Sequence, residues 1–534
     1  MGATATVTPV VPVSATAGVT GTSGVSQASP TRVVATPGSP VVASAVPSGE
    51  VCAFAPPFGG TPVARSAPTA TATVGQGQAT QRPVAPRPGQ EPPSLPLPNL
   101  AARYALTVDR FVFGASRSEF RVAETVAVTY REGCALDRLT FNVTAARWGW
   151  FALDGVRVGE QAVAARVEGV VLAVALPQRL APGASVEVAF DFRMSVGAPL
   201  DNYTLGGFAG TLQAGEMLRL AYWFPILSDD HQYPPFLDPP YTANAEFEVT
   251  LTLPSNLVVA HTGVASEQRK NADGTTTYRM RAENVRDFVI GMSPNYQVER
   301  RTAANGVVVE LFYDPKSINP NGRRPDLVQG QVGAALDAGV LAVERLGALI
   351  GPYPYPVLRL VDGGPTLLGG IEFPMLVAIN LALPGLENLV YHEVAHEWLY
   401  GVIGTRTQQD PWIDEGGATF LADYLGGTLN PSPPGASGFN YRLDSPVWAV
   451  APAGFQSQAI ESIYTQGGAF YTRVMRAMGE EAFWRAMQRL CREHRFGIVT
   501  PREVLATWQA ESAVDLRPLF AEYFDYPWVG ELGR

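Results

Sequence analysis

The sequence of 534 residues contains three cysteines and no long apolar run. Cys52, Cys134 and Cys491 lie far apart, so they predict neither a C-x-x-C metal site nor a disulfide framework. No apolar stretch reaches the ~18 residues that a membrane-spanning helix needs. The chain start also lacks the charged segment and apolar core of a secretory signal peptide. We therefore expect no transmembrane segment, and no signal peptide is visible in the sequence as given.

Clusters of basic residues are missing as well. The formal net charge is −10, and the first hundred residues contain four arginines against two glutamates, so the acid excess lies in the remainder. A nucleic-acid-binding surface would need clustered lysine and arginine. We therefore expect no nucleic-acid partner, and no feature of the sequence identifies a partner protein.

Residues 1–99 are rich in Ala, Thr, Val, Ser, Pro and Gly. Such a segment cannot bury enough apolar surface to offset the entropy lost on ordering, so we predict a disordered tail or stalk. Stretches rich in Ser, Thr and Pro are typical of extracellular stalks, although an interdomain tether explains the composition equally well. Our hypothesis is an extracytoplasmic or cell-surface tethered location, and we leave open whether the true N-terminus lies upstream.

Short runs of alternating apolar and polar residues dominate residues 100–299. The runs Val186–Phe192 and Phe247–Leu253 each have the period of two that predicts a half-buried strand. The turn signal Asp273-Gly274 lies between Val258–Val264 and Thr276–Met280 and predicts a hairpin there. The sequence therefore predicts an antiparallel β domain at residues 100–299.

The pattern changes near residue 300. A strand is predicted at Val307–Tyr313, a helix at Leu336–Leu346 from spacings of three and four, and a further strand at Leu358–Val361. Nearly all residues after Tyr391 have helical patterns, and Thr500 begins a helix with proline next and a capping acid at the third position. Residues 300–534 are therefore predicted to form an α+β domain that ends in helices.

The chain has five histidines, and two of them form an H-E-x-x-H motif at His392–His396. On a helix, positions i and i+4 share a face, so both imidazoles can bind one metal ion. Zinc with three protein ligands keeps one open position, where a bound water becomes a nucleophile at neutral pH. Glu393 lies beside this position and is the candidate acid/base.

The third ligand must come from another segment, and Glu415 is the candidate. Asp410 is a suitable N-cap and Pro411 a suitable first residue for a second helix, on which Glu415 lies in the second turn. Without the upstream motif, Glu415 could equally be a solvated helix acid. The other histidines have no partner at ligand spacing, so we predict structural or exposed roles for His231, His261 and His494.

The H-E-x-x-H motif is followed by 18 residues and then by Glu415, which lies within Trp412–Gly416. This arrangement resembles that of the gluzincin peptidases of the aminopeptidase N and leukotriene hydrolase family, peptidase family M1. Gly369–Pro374 is similar to the family's G-x-M-E-N strand, and Tyr464–Gly468 resembles its Tyr-x-Lys-Gly segment. The resemblance covers about residues 104–530. It implies a β-sandwich-like N-terminal domain, a thermolysin-like catalytic domain and one Zn²⁺ per chain.

The resemblance also implies substrate-binding and catalytic roles outside the metal ligands. Glu372 would bind the substrate's free α-amine from an edge strand, while Gly369 and Gly370 would let the substrate backbone approach closely. Tyr464 would donate a hydrogen bond to the oxyanion of the tetrahedral intermediate. Taken alone, Glu372 could be an ordinary strand acid, the two glycines could end a turn, and Tyr464 could be a packed aromatic.

Three features depart from the family pattern. Ile371 and Phe373 replace the motif methionine and asparagine, and Gln466 replaces the lysine of the tyrosine segment. The chain also ends about seventy residues after Tyr464, without room for the large C-terminal helical domain of many relatives. The cleft is therefore expected to be more open, which leaves endopeptidase cleavage as an alternative to strict exopeptidase cleavage.

The sequence thus predicts a zinc metallopeptidase, and specifically an aminopeptidase acting on peptide substrates. One alternative is a zinc endopeptidase or another hydrolase, such as an epoxide-type hydrolase, with the same site. An alternative of a different class is a tethered binding module with a vestigial active site. The complete set of ligands, base and tyrosine favours an enzyme.

Overall fold

The computed structural model describes residues 96–114, 116–197, 210–212, 217–232, 240–365, 367, 369–436, 442–447 and 460–533. All of them belong to one compact unit, Gly49–Arg534. Most of the predicted tail lies outside the described residues, although Leu97–Asn99 forms a 3₁₀ turn with Leu97 buried. None of the described helices is both long and apolar enough to cross a membrane.

Strands make up most of the described residues before residue 315. Numbered in chain order among the described residues, they are β1 (Leu100–Val112), β2 (Ser118–Tyr130), β3 (Leu136–Asn142), β4 (Phe151–Val158), β5 (Gln161–Ala162), β6 (Ala165–Glu168), β7 (Val171–Leu180), β8 (Ser185–Val196), β9 (Gly210–Leu212), β10 (Met217–Leu220), β11 (Ile226–Leu227), β12 (Ala245–Pro254), β13 (Val258–His261), β14 (Val264–Lys270), β15 (Thr275–Val285), β16 (Ile290–Ser293), β17 (Gln297–Thr302), β18 (Val308–Tyr313), β19 (Val357–Asp362), β20 (Gly370–Phe373) and β21 (Leu376–Ile379).

Helices follow from residue 315 onward. Those described are α1 (Pro315–Ile318), α2 (Pro325–Leu349), α3 (Leu386–Ala395), α4 (Pro411–Gly426), α5 (Gln466–Met478), α6 (Glu480–Glu493), α7 (Pro501–Glu511) and α8 (Arg517–Tyr523). The predicted helix at 336–346 and the strands at 307–313 and 358–361 are confirmed by α2, β18 and β19. The capping box that starts α7 at Thr500 is also confirmed.

An eight-stranded sheet in the order β14-β15-β12-β1-β2-β8-β4-β5 is the largest in the β region. The strands predicted from alternation at residues 186–192 and 247–253 are β8 and β12. All neighbours in this sheet are antiparallel except β1 and β12, which run parallel from Ala102 opposite Ala245 to Val108 opposite Leu251. The prediction of a purely antiparallel domain was therefore wrong at this pair, because a period of two shows which side chains are buried but not the neighbour's direction.

The hairpin predicted around Asp273-Gly274 exists, but its first strand is β14 rather than Val258–Val264. The run Val258–Val264 is broken at Gly263, which has φ +80°. A Cβ there would lie 2.3 Å from the carbonyl oxygen of Arg281. As a result β13 pairs with β16 in a separate four-stranded sheet, ordered β13-β16-β10-β9. A third sheet has the order β11-β3-β7-β6.

Aromatic side chains from these sheets meet in one core. The rings of Tyr104 and Phe247 stack with centroids 4.6 Å apart, and Phe141 of β3 meets Phe190 of β8 edge-on at 5.0 Å. The same core contains Glu124 of β2, which is 2% exposed and whose carboxylate oxygens form no hydrogen bond with any described residue. Burial raises the pKa of Glu124 well above its ordinary value.

We expect Glu124 to make the protein less stable as the pH rises. Because the pKa of Glu124 is higher in the folded protein than in the unfolded chain, the free energy of unfolding is unaffected below the unfolded pKa. As the pH rises from the unfolded pKa toward the folded pKa, the free energy of unfolding falls by up to about 1.4 kcal/mol per pH unit. Glu124→Leu should therefore raise the melting temperature more at pH 8 than at pH 5, whereas Glu119→Leu on the exposed face of β2 should show no such trend. An equal effect of Glu124→Leu at both pH values would contradict the prediction.

The cysteine prediction also needs correction. Cys134 takes part in a disulfide, although the spacing of the cysteines predicted no disulfide framework. Spacing along the chain could not reveal this bond, because residues far apart in sequence can be neighbours in the fold. Cys491 is free and buried.

The sheet that supports the candidate site has five strands in the order β17-β18-β19-β21-β20. β20 forms an edge of this sheet and pairs antiparallel with β21 through a tight turn. β17 begins at Gln297, close to the predicted boundary between residues 299 and 300. The division into domains at 100–299 and 300–534 stays a prediction, because all described residues fall within one compact unit.

Arg286, which follows β15, holds the segment between the H-E-x-x-H motif and α4. Its side chain is fully buried. The guanidinium donates to the carbonyl oxygens of Thr242 at 3.0 Å, Tyr400 at 3.2 Å and Thr405 at 3.0 Å. Since a guanidinium is a rigid donor with several N–H groups, one side chain can fix three backbone segments at once.

Candidate metal and catalytic site

The H-E-x-x-H motif lies at the end of α3. His392 and Glu393 are in the helix, whereas His396 is the residue that follows its last turn and keeps helical angles of φ −63° and ψ −18°. The predicted helix therefore ends one residue before the motif does. Because His396 stays helical, the two imidazoles still project from the same face.

Three side chains from α3 and α4 converge on one point. His392 Nε2 lies 3.0 Å from Glu415 Oε2 and 3.2 Å from His396 Nε2. His396 Nε2 is 3.3 Å from the same carboxylate oxygen. Two imidazole nitrogens and one carboxylate oxygen are the donor set of a catalytic zinc site with an open position. The residues present thus fit a zinc ion.

The charges of this group also suit a divalent cation. Burial alone would raise the pKa of Glu415, but the imidazoles, first of all His396, hold that pKa well below its usual range. Burial alone would lower the pKa of His396, but the carboxylates of Glu415 and Asp414 raise it. Because imidazole and carboxylate ligands must be deprotonated to bind a metal ion, binding of an ion is expected to weaken as the pH falls.

Asp414 is a site residue to which the sequence analysis gave no role. Its Oδ1 accepts a hydrogen bond from His396 Nδ1 at 2.7 Å, and its Oδ2 accepts one from the Thr405 hydroxyl at 3.1 Å. Since the side chain is 1% exposed, both bonds are shielded from water. Asp414 thereby fixes the tautomer of His396 and directs its Nε2 toward His392 and Glu415. The position of Asp414 directly before Glu415 is the sequence feature that could have indicated this role.

We expect Asp414→Ala to weaken zinc binding by about 10–100-fold, because His396 loses the partner that orients its ring. Competition with a chromogenic chelator measures this affinity directly. Asp423→Ala is the matched control, since Asp423 lies on the same helix but bonds Thr428 instead. Equal affinities of the Asp414→Ala protein and the unaltered protein would contradict the orienting role.

Asp410, predicted as the N-cap of α4, occupies the capping position without making a capping hydrogen bond. Its Oδ2 accepts instead from Arg406 Nε at 2.8 Å. The predicted helix start is thus correct, but the predicted capping bond is wrong because an ion pair one turn earlier takes the carboxylate.

Glu393 lies directly against β20. A Cβ added to Gly370 would lie 2.3 Å from Glu393 Oε1, so a side chain at this position would force the carboxyl group of Glu393 to move. Burial raises the pKa of Glu393 to about 7, an effect that His392 and His396 partly offset. A carboxyl group with a pKa near neutrality can both accept and donate a proton, as an acid/base requires. Contact with Glu393 therefore favours glycine at position 370, in addition to the predicted close approach of the substrate backbone.

Glu372 lies on the edge strand, as predicted, opposite Val377. It is 4% exposed, and no described group forms a hydrogen bond with its Oε1. Glu372, His396 and Asp414 each place one ligand atom within 4.8 Å of the others. Burial raises the pKa of Glu372 well above its usual value. A cationic group that reached Oε1 would satisfy this oxygen. Gly369, one residue before β20, accepts a backbone hydrogen bond from Asn380 at 2.9 Å.

Tyr464 reaches the site from a π-helical turn, Ile460–Thr465, that leads into α5. Its hydroxyl donates to Glu415 Oε1 at 2.7 Å, and its ring stacks on His392 with centroids 5.7 Å apart. Such π-helical turns are rare and often occur at functional sites. Tyr464 lies two residues before Gln466, the first residue of α5.

Glycines allow this close approach of α4 and the tyrosine segment. A Cβ on Gly416 would lie 2.8 Å from the Cα of Gly467, and one on Gly467 would lie 2.6 Å from the Cα of Gly416. The two backbones therefore touch directly next to Glu415. This contact sets the distance between the carboxylate of Glu415 and the hydroxyl of Tyr464.

The remaining histidines belong to no metal-capable group among the described residues. The ring of His261 is buried, with Nδ1 2.8 Å from the carbonyl oxygen of Thr262, which agrees with the predicted structural role. His494 follows the last residue of α6.

No protein-family model and no curated protein matches the sequence. Two solved structures of an M1 zinc metallopeptidase from Deinococcus radiodurans do match the fold. The first has a TM-score of 0.55 and 17% identity, covering 77% of this chain and 90% of that chain. The second, a Glu-to-Ala variant, has a TM-score of 0.57 and 18% identity, covering 80% of this chain and 95% of that chain. This chain therefore has the fold of the M1 zinc metallopeptidases, as its motifs predicted.

Proposed function

We propose that this protein is a zinc-dependent metallopeptidase that removes N-terminal residues from peptides. The observation that carries the proposal is the convergence of His392, His396 and Glu415 beside the buried carboxyl group of Glu393. The fold shared with M1 zinc metallopeptidases supports the same reaction class.

Each group near the metal ligands has a distinct task in this reaction. A zinc ion held by His392, His396 and Glu415 would supply a Lewis acid for the scissile carbonyl and would make water more acidic. Glu393 accepts a proton from the attacking water and passes it to the leaving amine. The Tyr464 hydroxyl, now bonded to Glu415, is positioned to donate to the oxyanion instead.

Recognition of a free N-terminus is assigned to Glu372. An α-ammonium group can donate to the carboxylate oxygen that lacks a partner, and a charge-assisted hydrogen bond of this kind is worth about 1.5–3 kcal/mol. Phe373, which replaces the family's asparagine, is 1% exposed and offers no polar group. In our proposal Glu372 therefore recognises the amine without help from residue 373. Among the described strands β20 lies at the edge of its sheet, so in our proposal its outer backbone groups bind an extended peptide.

Aminoacyl-arylamides and their N-acetylated counterparts test this proposal. We expect zinc-dependent hydrolysis of the free substrate and a kcat/KM lower by about 10–100-fold for the acetylated one, because acetylation removes the charge that Glu372 binds. Chelation should abolish hydrolysis, and added zinc should restore it. Equal rates for both substrates would favour a zinc endopeptidase or another hydrolase, and zinc binding without any hydrolysis would favour a binding module.

A further inference from the structure

Glu397 is a buried acid that the proposed reaction does not use. It follows His396 directly and is 1% exposed. Its backbone is fixed at the end of α3, since its N–H donates to the Val394 carbonyl at 3.1 Å and its own carbonyl accepts from Val402 at 3.0 Å. A carboxyl group in such a place is costly to bury unless it satisfies a particular donor.

The donor is a backbone N–H in the turn between β20 and β21. Glu397 Oε2 accepts from Met375 N at 3.1 Å, whereas the hydroxyl of Tyr353 donates to the Val357 carbonyl at 3.3 Å. The bond between Glu397 and Met375 joins the segment that contains His396 to the hairpin that contains Glu372.

The hairpin turn needs such an external contact. Phe373 pairs with Leu376 across it, so Pro374 and Met375 alone make the connection. Met375 has φ +67°, a left-handed conformation that residues with a side chain seldom adopt. Conformations of this kind persist only where the surrounding structure imposes them. The hydrogen bond from the Met375 N–H to Glu397 is a contact of this kind from outside the hairpin.

We propose that Glu397 is a positioning residue that, by accepting the Met375 N–H, holds the Glu372 hairpin at a fixed place relative to His396 and so sets the preference for substrates with a free α-amine. This inference rests on the proposed function and extends it to a residue that touches neither substrate nor metal. Glu372 lies three residues before Met375, with a carboxylate oxygen within 4.8 Å of a ring nitrogen of His396, so a shift of the turn displaces the amine-binding group directly.

Three variants of Glu397 separate positioning from general packing. Glu397→Gln keeps an oxygen that can accept the Met375 N–H, Glu397→Asp keeps the charge but is one methylene too short, and Glu397→Leu removes the acceptor. Gln509→Leu is the control, since Gln509 Oε1 accepts the backbone N–H of Leu516 at 2.8 Å in the C-terminal helices, which contain no site residue. Each protein is assayed with the aminoacyl-arylamide and its N-acetyl form, and its zinc content and the hydrogen exchange of the Met375 amide are measured.

We expect the ratio of kcat/KM for free over acetylated substrate to fall about tenfold in Glu397→Asp and Glu397→Leu, because the displaced carboxylate loses part of its bond to the amine. The loss should be in KM for the free substrate, with zinc content and the acetylated substrate unaffected and with faster exchange at Met375. Glu397→Gln and Gln509→Leu should keep the ratio within about twofold, although Gln509→Leu lowers the melting temperature.

The outcomes separate this inference from the proposed function. If the unaltered protein discriminates between the substrates but the Asp and Leu variants keep its ratio while Met375 exchanges faster, Glu397 is only structural and the inference is overturned. If all three Glu397 variants lose the ratio equally, the acceptor role of the side chain is rejected. If the unaltered zinc protein hydrolyses neither substrate, or both equally, the proposed function fails and the inference fails with it.

Discussion

Glu393→Gln is expected to lower kcat for peptide hydrolysis by about 10²–10⁴-fold, because an amide cannot take a proton from water. The variant should retain zinc, since neither the imidazoles nor Glu415 is altered. The side chains are nearly the same size, so the contact with Gly370 is preserved. Steady-state kinetics with an aminoacyl-arylamide, together with metal analysis of the same sample, measures both quantities.

The matched control for this experiment is Glu387→Gln. Glu387 is an exposed acid in the first turn of the same helix, so its replacement should leave both kcat and zinc content unchanged. Hydrolysis at the normal rate by the Glu393→Gln protein would show that another group acts as the base. Loss of zinc together with activity would instead indicate that Glu393 helps to hold the ligands.

Gly467→Ala is expected to lower the free energy of unfolding by about 1–3 kcal/mol or more, because the added methyl group would overlap the backbone of Gly416. Relief of this overlap must move α5 away from α4. Tyr464 would then lose its bond to Glu415, so we also expect a lower kcat. Chemical denaturation measures the first effect, and arylamide hydrolysis measures the second.

Gly330→Ala is a control for which we expect the opposite change in the free energy of unfolding. Gly330 lies on the exposed face of α2, and nothing would be within 4 Å of its added Cβ. Alanine is a better helix former, so this change should stabilise the protein by up to about 1 kcal/mol. A Gly467→Ala protein as stable and active as Gly330→Ala would mean that the two backbones are farther apart than the structure indicates.

Local sequence patterns were sufficient for much of the site. The spacing of His392 and His396 depends only on helical geometry, so it could be predicted without knowledge of the fold. Glu415 required a second helix, which Pro411 indicated correctly. The edge-strand position of Glu372, by contrast, came only from the resemblance of Gly369–Pro374 to the family's G-x-M-E-N strand.

Features that depend on contacts between distant segments were not predicted. The bond from Asp414 to His396 requires two helices at a particular angle, and the bond from Glu397 to Met375 requires the hairpin turn to lie beside α3. The parallel pairing of β1 with β12 and the disulfide of Cys134 have the same origin. In each case the residue type is visible in the sequence, but its partner is chosen by the tertiary fold.

The three carbonyl groups held by Arg286 limit how far this protein could be reduced to a minimal fragment. A protein that began near residue 300 would contain Tyr400 and Thr405 but neither Arg286 nor Thr242. Two buried oxygens would then lack their donor, and the stretch that leads from the histidine motif to the third ligand would lose its anchor. Any shortened version intended for biotechnology must therefore keep the β15 region, even though that region supplies no ligand.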